Sequence, residues 1–201
     1  MSKATPAHLA YAKTVLRYLI GVKGRQLTWC GNRMSLPHVL GEILAFVDSS
    51  WADDKNNRRS SMAYYLFLNN ATFSWRATLS QIIALSPAEA ELMALASCCC
   101  EIVWARKLAI ELGFPQLKPT DVYEDNTGCI ALANNMHLRG CSEHIALRVC
   151  FIQKLIQDGI LNVKQCPTAV QTADIGTKAL PRVPVENFTD QLLGHNHVGD
   201  K

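Results

Sequence analysis

The sequence predicts an α/β fold in which helices flank a mixed sheet of five strands. Three β-rich runs follow one another in the first half of the chain, at residues 43–48, 62–68 and 72–75. The second half alternates between helical runs and two further strand-like runs, at residues 121–125 and 160–166. A hairpin meander followed by strand–helix alternation is typical of a sheet with both antiparallel and parallel neighbours.

The segment before the sheet, residues 6–20, has an amphipathic pattern. Four apolar residues fall on one face of the predicted helix: Leu9, Ala12, Leu16 and Leu19. Gly21 follows at the position where a helix commonly ends. A loop rich in Gly, Asn and Pro then leads to the first strand, so this helix is predicted to precede the sheet rather than interrupt it.

Residues 53–61 form a polar loop between the first two strands. Arg58 and Arg59 in this loop are candidate substrate-binding residues, because a guanidinium group suits a phosphate. An ordinary solvated loop explains them equally well. The second and third strands are joined by Asn69-Asn70-Ala71, which suits a hairpin turn.

The longest predicted helix covers residues 87–112. Ser86 suits the cap, Pro87 suits the first turn, and Gly113 marks the end. From residue 92 to residue 100 the helix is apolar on almost every face, so this part is expected to be buried. Shorter helices are predicted at residues 127–135, 143–157, 169–179 and 184–193.

Four acidic residues lie where a carboxylate needs a partner. Asp48 and Asp125 end predicted strands, Glu91 lies early in the long helix, and Asp174 lies in a short helical stretch. Acids beside packed strands and helices are costly unless they are paired, hydrogen-bonded or bound to metal. Four such acids from four elements suggest one cluster that holds divalent cations such as Mg²⁺, at the edge where sites in such sheets lie.

The choice between Glu91 and Glu89 stays open on periodicity alone. The two residues point nearly 200° apart, because each helical residue turns by about 100°. The surrounding stretch is apolar all round, so no polar face identifies the inward one. Glu91 is the proposed ligand, and Glu89 is expected to be solvated.

Composition restricts the other classes of function. Apolar residues make up 49% of the chain, enough for a sizeable core, in which Trp51 and Trp75 are expected. The longest apolar stretches, of about ten residues, fall short of the roughly 18 that a membrane span needs. The start of the chain lacks an apolar signal region, so an intracellular, non-secreted protein is expected. Eight cysteines occur without a Cys-x-x-Cys pair, which favours reduced, buried thiols over zinc ligands.

Positive charge is concentrated at one end. Residues 1–40 hold six Lys or Arg and no acid, whereas residues 41–201 hold fourteen Lys or Arg and seventeen acids. A basic segment of this kind attracts phosphate backbones. An ordinary solvated basic helix is the alternative that charge alone does not exclude.

The order of elements and acids resembles the ribonuclease H fold, and the local sequence resembles the C-terminal part of copia-type retrotransposon polyproteins. Seven segments carry the resemblance in the family's order: VLRYL (15–19), VDSSWAD (47–53), RRSS (58–61), ALSPAEAEL (84–92), YEDN (123–126), HIALR (144–148) and PTAVQTADIGTK (167–178). Each segment alone is weak, but seven at plausible spacing span nearly the whole chain.

The resemblance implies three parts: residues 1–40 as the tail of a reverse transcriptase module, residues 43–180 as a ribonuclease H domain, and residues 181–201 as an amphipathic tail. Carried over residue by residue, the catalytic, metal-binding acids are Asp48, Glu91, Asp125 and Asp174. The implied activity is hydrolysis of the RNA strand of RNA–DNA hybrids with two Mg²⁺ ions, for which Mn²⁺ can substitute. Asn126 joins the two arginines as a candidate for substrate binding.

The implied partners are the hybrid and the reverse transcriptase module of the same polyprotein, without a membrane, in the cytoplasm or in virus-like particles. No histidine lies in residues 167–173, where some ribonucleases H place a proton-transfer histidine, and His144 is expected to be structural. The family commonly has an acid in place of Ser50, Gly in place of Ala63, Asp in place of Ala146 and Leu in place of Gly176. These departures leave a second hypothesis open: a catalytically inactive remnant that binds nucleic acid or has only a structural role.

Overall fold

The computed structural model describes residues 4–29, 41–69, 71–134 and 143–194. Five strands form one sheet in the order β3-β2-β1-β4-β5. Their bounds are Ile43–Ser50 for β1, Ser61–Leu68 for β2, Ala71–Leu79 for β3, Thr120–Glu124 for β4 and Leu161–Gln165 for β5. β2 runs antiparallel to β1 and β3, whereas β1, β4 and β5 are mutually parallel. The predicted mixed five-stranded sheet is therefore confirmed.

Five α-helices accompany the sheet in the described part of the chain. Their bounds are Pro6–Gly21 for α1, Pro87–Glu111 for α2, Thr127–Asn134 for α3, Glu143–Gln157 for α4 and Arg182–Leu193 for α5. Ser86 caps α2 as predicted, since its hydroxyl accepts a hydrogen bond from the Glu89 amide at 3.2 Å. This cap fixes where α2 begins, and hence which of its residues reach the edge of the sheet.

The prediction of a regular helix at residues 169–179 is wrong. Two short 3₁₀ helices lie there instead, at Thr168–Val170 and Thr172–Gly176. Gln171 separates them: its side-chain Nε2 donates to the Val47 carbonyl at 2.9 Å, and its Oε1 accepts from the Ala173 amide at 3.3 Å. This buried side chain fixes the segment to β1, and tertiary contact overrides local helix preference.

Alternate residues of β1 face two different packing layers. Ile43, Ala45 and Val47 pack in the main core, which also contains the apolar stretch of α2. Leu44 and Phe46 face the opposite layer, where they pack with Ala173 of the second 3₁₀ helix. Because side chains alternate along a strand, Asp48 lies on the same side as Phe46 and therefore on the side of the 3₁₀ helices.

α1 is separate from this packing, since it has no buried residue. The segment after it contacts α5, where the Thr28 amide donates to the Leu193 carbonyl at 2.9 Å. Two tryptophans also lie outside the core: Trp51 is 45% exposed and Trp75 is 60% exposed, so their predicted burial is wrong. None of the described helices combines the length and apolar character that crossing a membrane requires.

Candidate active site

Three carboxylates from three elements meet at one edge of the sheet. Asp48 lies near the end of β1, Asp125 directly follows β4, and Asp174 lies in the second 3₁₀ helix. One oxygen from each lies within 4.8 Å of the others. Asp48 and Asp174 are buried, whereas Asp125 is partly exposed. This group lies on the side of the sheet that the 3₁₀ helices cover.

A second group of carboxylates lies on the α2 side. Glu91 of α2, Glu124 of β4 and Asp125 again offer oxygens within 4.8 Å of one another. Asp125 belongs to both groups because it lies just beyond the end of β4, at the rim between the two layers. The structure therefore brings together all four acids selected from the sequence and adds Glu124.

Glu124 was missed in the sequence analysis, although the strand pattern contains a signal for it. In β4 the buried residues alternate as Thr120, Val122 and Glu124. Period-two alternation places Glu124 on the same face as the core residue Val122, toward α2. A fully buried acid at a strand end is rare without a partner, so this position is as informative as Asp48.

Hydrogen bonds fix the group that contains Asp174. The Lys178 ammonium donates to Asp174 Oδ1 at 2.6 Å and to Asp48 Oδ1 at 3.0 Å. The Thr177 hydroxyl donates to the other oxygen of Asp48. The Thr168 hydroxyl donates to Asp125 Oδ2 at 2.9 Å. The chain after β5 thus supplies donors to three of the carboxylates.

The α2-side group has buried oxygens that remain without a donor. Glu124 Oε1 accepts from the Asn126 amide at 3.0 Å, but Glu124 Oε2 and Glu91 Oε2 have no hydrogen-bond partner among the described residues. A buried carboxylate oxygen without a partner is costly. Oxygen ligands in this number and burial suit a hard divalent cation such as Mg²⁺. The donor set therefore fits the metal that the sequence implies.

Electrostatics of the cluster favour protonated acids when no cation is bound. Burial first, and then repulsion from Glu124, Asp48 and Asp125, raises the pKa of Glu91 to about 10. Burial, with weaker repulsion from Asp125 and Asp48, raises the pKa of Glu124 to about 8. Burial also raises the pKa of Asp48 to about 6, although Thr177 and Lys178 oppose the increase. A cation that binds here must therefore displace protons.

Glu89 has a different environment from the one expected. It is buried rather than solvated, and its Oε2 accepts a hydrogen bond from the Leu85 amide at 2.9 Å. With Ser86, it closes the first turn of α2. Glu89 therefore contributes to the start of the helix, whereas Glu91 is the one that joins the carboxylate cluster.

The three candidate substrate-binding residues, Arg58, Arg59 and Asn126, differ in their surroundings. Arg58 and Arg59 are exposed in the β1–β2 loop, and Arg58 has a positive φ of 58°. Asn126 caps α3, since its side-chain oxygen accepts from the Cys129 amide at 3.0 Å. The side chain of His144 lies outside the described part of the chain. Substrate binding by Arg58, Arg59 and Asn126 remains a prediction.

A groove of about 450 Å³ lies on the side of the sheet that α2 covers. Strands β2 and β3 and helices α2 and α4 line it, with Arg76 and Arg148 among apolar side chains. Met93, two residues after Glu91, forms part of its wall. Because two helical residues turn by about 200°, Met93 points away from Glu91, so the groove opens on a different face of α2 from the carboxylate cluster.

Comparison with curated proteins finds transposon relatives over nearly the whole chain. The retrovirus-related Pol polyprotein from transposon RE1 of Arabidopsis thaliana is 32% identical over 193 residues, which cover 96% of this chain and 13% of that protein. The corresponding polyprotein from transposon TNT 1-94 of Nicotiana tabacum is 33% identical over 93% of this chain. The chain thus spans about an eighth of the length of these relatives, or 13%.

A third relative matches a smaller part. The secreted RxLR effector protein 161 of Plasmopara viticola is 34% identical over 105 residues, which cover 51% of this chain and 68% of that protein. No family model matches the chain. The Pol polyproteins are therefore the relatives that account for nearly all of the sequence.

Solved structures agree on the fold. LC11-RNase H1, isolated from compost by a metagenomic approach, aligns with a TM-score of 0.52 at 11% identity, covering 69% of this chain and 94% of that protein. The same protein in complex with an RNA/DNA hybrid aligns with a TM-score of 0.51 at 12% identity, covering 68% of this chain and 94% of that one. At this identity the likeness establishes a ribonuclease H-like fold.

Proposed function

Since the chain belongs to the retrovirus-related Pol polyproteins of transposons, as the copia-type resemblance implied, we propose that it acts as a ribonuclease H-type endonuclease. Its substrate is the RNA strand of RNA–DNA hybrids formed during reverse transcription of the element. The observation that supports this proposal most directly is the convergence of Asp48, Glu91, Asp125 and Asp174 at one edge of a ribonuclease H-like sheet.

Two Mg²⁺ ions, or Mn²⁺ in their place, are the proposed cofactors. The residues that would hold them are Asp48, Glu91, Asp125 and Asp174, and Glu124 joins this set on the structural evidence. When bound, such ions activate water and stabilise the departing oxygen in phosphodiester hydrolysis. Asp125 belongs to both carboxylate groups, so it could contribute a ligand to an ion held by either group.

The surrounding residues keep the carboxylates in place. Gln171 fixes the 3₁₀ segment to β1, and Thr168 orients Asp125 through its hydroxyl. Asn126 holds Glu124 through its backbone amide while its side chain begins α3. These bonds pre-organise the site on strands and short helices rather than on free loops, which lowers the cost of arranging the acids during turnover.

Contacts to the hybrid are assigned to basic residues around the site. Arg58 and Arg59 extend from the β1–β2 loop, which directly follows the strand that carries Asp48. The groove beside Met93 adds Arg76. Guanidinium groups pair well with phosphate oxygens. The hybrid complex of LC11-RNase H1 supports the same class of substrate by analogy of fold.

The remaining part of the polyprotein is the second proposed partner. Three large residues of the apolar face of α1, Leu9, Leu16 and Leu19, are more than half exposed, and the adjoining Val15 is exposed to the same extent. Such a face on a single helix indicates a surface that is covered in the complete protein. The aligned relatives are several times longer than this chain. On this proposal, residues 1–40 are the tail of the reverse transcriptase module, and their apolar face packs against that module.

This packing can be tested with the adjoining reverse transcriptase segment of the transposon RE1 polyprotein as the probe. The chain should co-purify with that segment, and Val15→Glu combined with Leu19→Glu should abolish co-purification. Co-purification that survives both substitutions would exclude the apolar face as the contact.

The ribonuclease H domain, residues 43–180, and the tail at residues 181–201 complete the proposed division of the chain into three parts. The proposed setting is reverse transcription inside the cell.

A cleavage assay tests the enzymatic proposal. The full chain should cut the labelled RNA strand of an RNA–DNA hybrid when Mg²⁺ is present, and it should leave double-stranded DNA and double-stranded RNA intact. Asp125→Asn should reduce cleavage at least ~10³-fold, because its carboxylate belongs to both groups of proposed ligands. Asp121→Asn is the matched control, since Asp121 lies on the same strand but pairs with Lys164 at 2.8 Å.

The assay also decides between the two hypotheses that the sequence left open. Absence of hybrid cleavage by the unaltered chain at any Mg²⁺ or Mn²⁺ concentration would favour the inactive remnant. Equal loss in Asp125→Asn and Asp121→Asn would indicate a folding effect instead of a lost ligand.

A further inference from the structure

Lys178 lies between two of the buried carboxylates. Its Nζ is 2.6 Å from Asp174 Oδ1 and 3.0 Å from Asp48 Oδ1. Both acids are almost fully buried, whereas the lysine side chain is 35% exposed. The ammonium group therefore reaches the cluster from the solvent side, and its positive charge offsets part of the negative charge of the group that faces the 3₁₀ helices.

The backbone holds this lysine in a defined position. The Lys178 amide donates to the Asp174 carbonyl at 2.9 Å, so the residue directly follows the turn that carries the carboxylate. The neighbouring Thr177 hydroxyl donates to Asp48. The second 3₁₀ helix thus presents a donor and a cation to the same aspartate. Lys178 is an integral part of the site, rather than a surface chain that happens to reach an acid.

The two carboxylate groups differ in what neutralises them. Asp48 and Asp174 share the ammonium of Lys178. In the other group, Glu91 and Glu124 each keep a buried oxygen without a hydrogen-bond partner among the described residues. One half of the cluster is thus internally compensated, and the other half lacks compensation.

We propose that Lys178 is a resident cation of this centre, which occupies the place between Asp48 and Asp174 that a divalent ion would take. An ion at Glu91, Glu124 and Asp125 meets no ammonium group, whereas an ion at Asp48 and Asp174 requires the ammonium to move outward into solvent. Lys178 therefore makes the two cation positions unequal and prevents Asp48 and Asp174 from repelling each other when the second position is empty. The inference rests on the proposed metal centre.

The physical basis is competition between like charges for the same oxygens. An ammonium group within 3.0 Å of a carboxylate oxygen leaves no room for a cation at normal Mg–O distances of about 2.1 Å. The exposed part of the lysine side chain gives it a route outward, since its long stem allows the head group to reach water. Displacement keeps the lysine charged, so no proton transfer is required.

Titration of the full chain with Mn²⁺, in the absence of nucleic acid, tests the inference. Free Mn²⁺ detected by electron paramagnetic resonance should reveal one tight and one weak ion in the unaltered protein. Lys178→Met removes the charge and keeps the length of the side chain, so the weak ion should bind about tenfold more tightly. Lys178→Arg keeps a cation and should retain the weak class.

Lys164→Met is the matched control, because Lys164 also forms a lysine–aspartate pair, with Asp121 at 2.8 Å, away from the cluster. Its Mn²⁺ titration should equal that of the unaltered chain. Two equivalent ions in the unaltered chain, or unchanged affinities in Lys178→Met, would overturn the inference. The first of these outcomes needs no variant, so it holds even if Lys178→Met fails to fold. Absence of any Mn²⁺ binding to the unaltered chain would instead remove the metal centre, and with it the proposed function.

Discussion

Glu91 and Glu89 lie two residues apart on α2 but have separate roles. Glu91 keeps a buried oxygen without a partner beside Glu124 and Asp125, whereas Glu89 accepts the Leu85 amide at the start of the helix. A helix turns by about 200° over two residues, so only one of the two can reach the cluster. Both residues are glutamates, so their different environments arise from the groups that each side chain contacts in the fold.

Replacing these two acids separates the proposed metal ligand, Glu91, from the residue that begins the helix, Glu89. Glu91→Gln keeps the shape and removes a charge that a bound cation needs, so hybrid cleavage should fall at least ~100-fold while the fold persists. Glu89→Gln keeps an oxygen that can accept the Leu85 amide, so cleavage should remain within about twofold and stability should fall by less than about 1 kcal/mol. Steady-state cleavage and urea unfolding measure the two effects. Equal losses of activity would mean that the register of α2 has been misassigned.

The raised pKa values predict how the stability of the metal-free protein changes with pH. Glu91, Glu124 and Asp48 have pKa values of about 10, 8 and 6 in the folded chain, above their ordinary values of 4.5, 4.5 and 3.8. Between these limits the folded chain binds more protons than the unfolded chain, so stability falls as pH rises. In EDTA, the melting temperature should therefore decrease steadily from about pH 5 to about pH 9.

Mg²⁺ should reverse this trend. Divalent ions bind the ionised carboxylates and release protons, so the increase in melting temperature on adding Mg²⁺ should grow with pH. Glu91→Gln removes the group with the highest pKa and should flatten the slope in EDTA. A metal-free melting temperature that rises over the same pH range would contradict the assigned burial of these acids.

At the scale of elements, the strands and α2 could be predicted because local patterns agree with tertiary packing. Ser86, Pro87 and Gly113 mark the ends of α2 in the sequence, and the structure places the helix between them. The segment after β5 could not be predicted in this way. Its conformation depends on Gln171 bonding to Val47, a contact across 124 positions that no local pattern reveals.

The residues of the candidate site also divide into those that local sequence patterns identify and those that only the fold brings to the cluster. Asp48, Glu91, Asp125 and Asp174 could be selected because each is an acid beside a packed element, and the structure brings them together. Lys178 and Thr177 end the segment 167–178 that carries the family resemblance, but a Thr-Lys pair by itself indicates no role beside a carboxylate. Their place in the cluster follows from how the second 3₁₀ helix is folded against β1.

Two departures from the usual copia sequence face each other across one contact. A Cβ atom at Gly176 would lie 2.6 Å from the Ala63 Cβ and 2.8 Å from the Tyr65 hydroxyl. The second 3₁₀ helix can therefore approach β2 because residue 176 has no side chain. The family resemblance implies Gly at position 63 and Leu at position 176, so the residue sizes at these two positions are expected to depend on each other.

The close contact between positions 63 and 176 predicts that substitutions there have coupled effects on stability. Gly176→Ala should destabilise the chain by about 1–3 kcal/mol through overpacking. Adding Ala63→Gly should recover about 1 kcal/mol of that loss, so the double variant is more stable than the sum of the single effects. Urea unfolding of the four proteins gives the coupling. Gly21→Ala is the control, since a Cβ there meets nothing within 4 Å. Additive effects would mean that positions 63 and 176 do not influence each other's packing.

At the scale of the whole molecule, α1 lies apart from the domain and carries basic residues. Arg17 lies about 160° around the helix from Leu19, whereas Lys13 borders the apolar face, about 40° from Leu9 and about 60° from Leu16. The link to the domain follows α1, where Thr28 bonds to Leu193 and Arg25 lies 3.8 Å from Asp190. One face of α1 is therefore available for a protein surface, and the basic residues that border it are available for phosphate.

Deletion of residues 1–22 tests this arrangement, because it removes α1 and leaves the contacts of Arg25 and Thr28 with α5 intact. The deletion removes three basic residues, Lys3, Lys13 and Arg17. Each phosphate contact contributes about 0.9 to the slope of log K against log salt, so the slope for hybrid binding should decrease by up to about 3. Fluorescence anisotropy in EDTA measures binding without cleavage.

Lys13→Gln combined with Arg17→Gln should reproduce much of the change, whereas Leu16→Gln on the apolar face should leave the slope as it is. A full salt slope after the deletion would mean that the basic residues of α1 do not contact phosphate, and the hybrid would then be held by the domain alone.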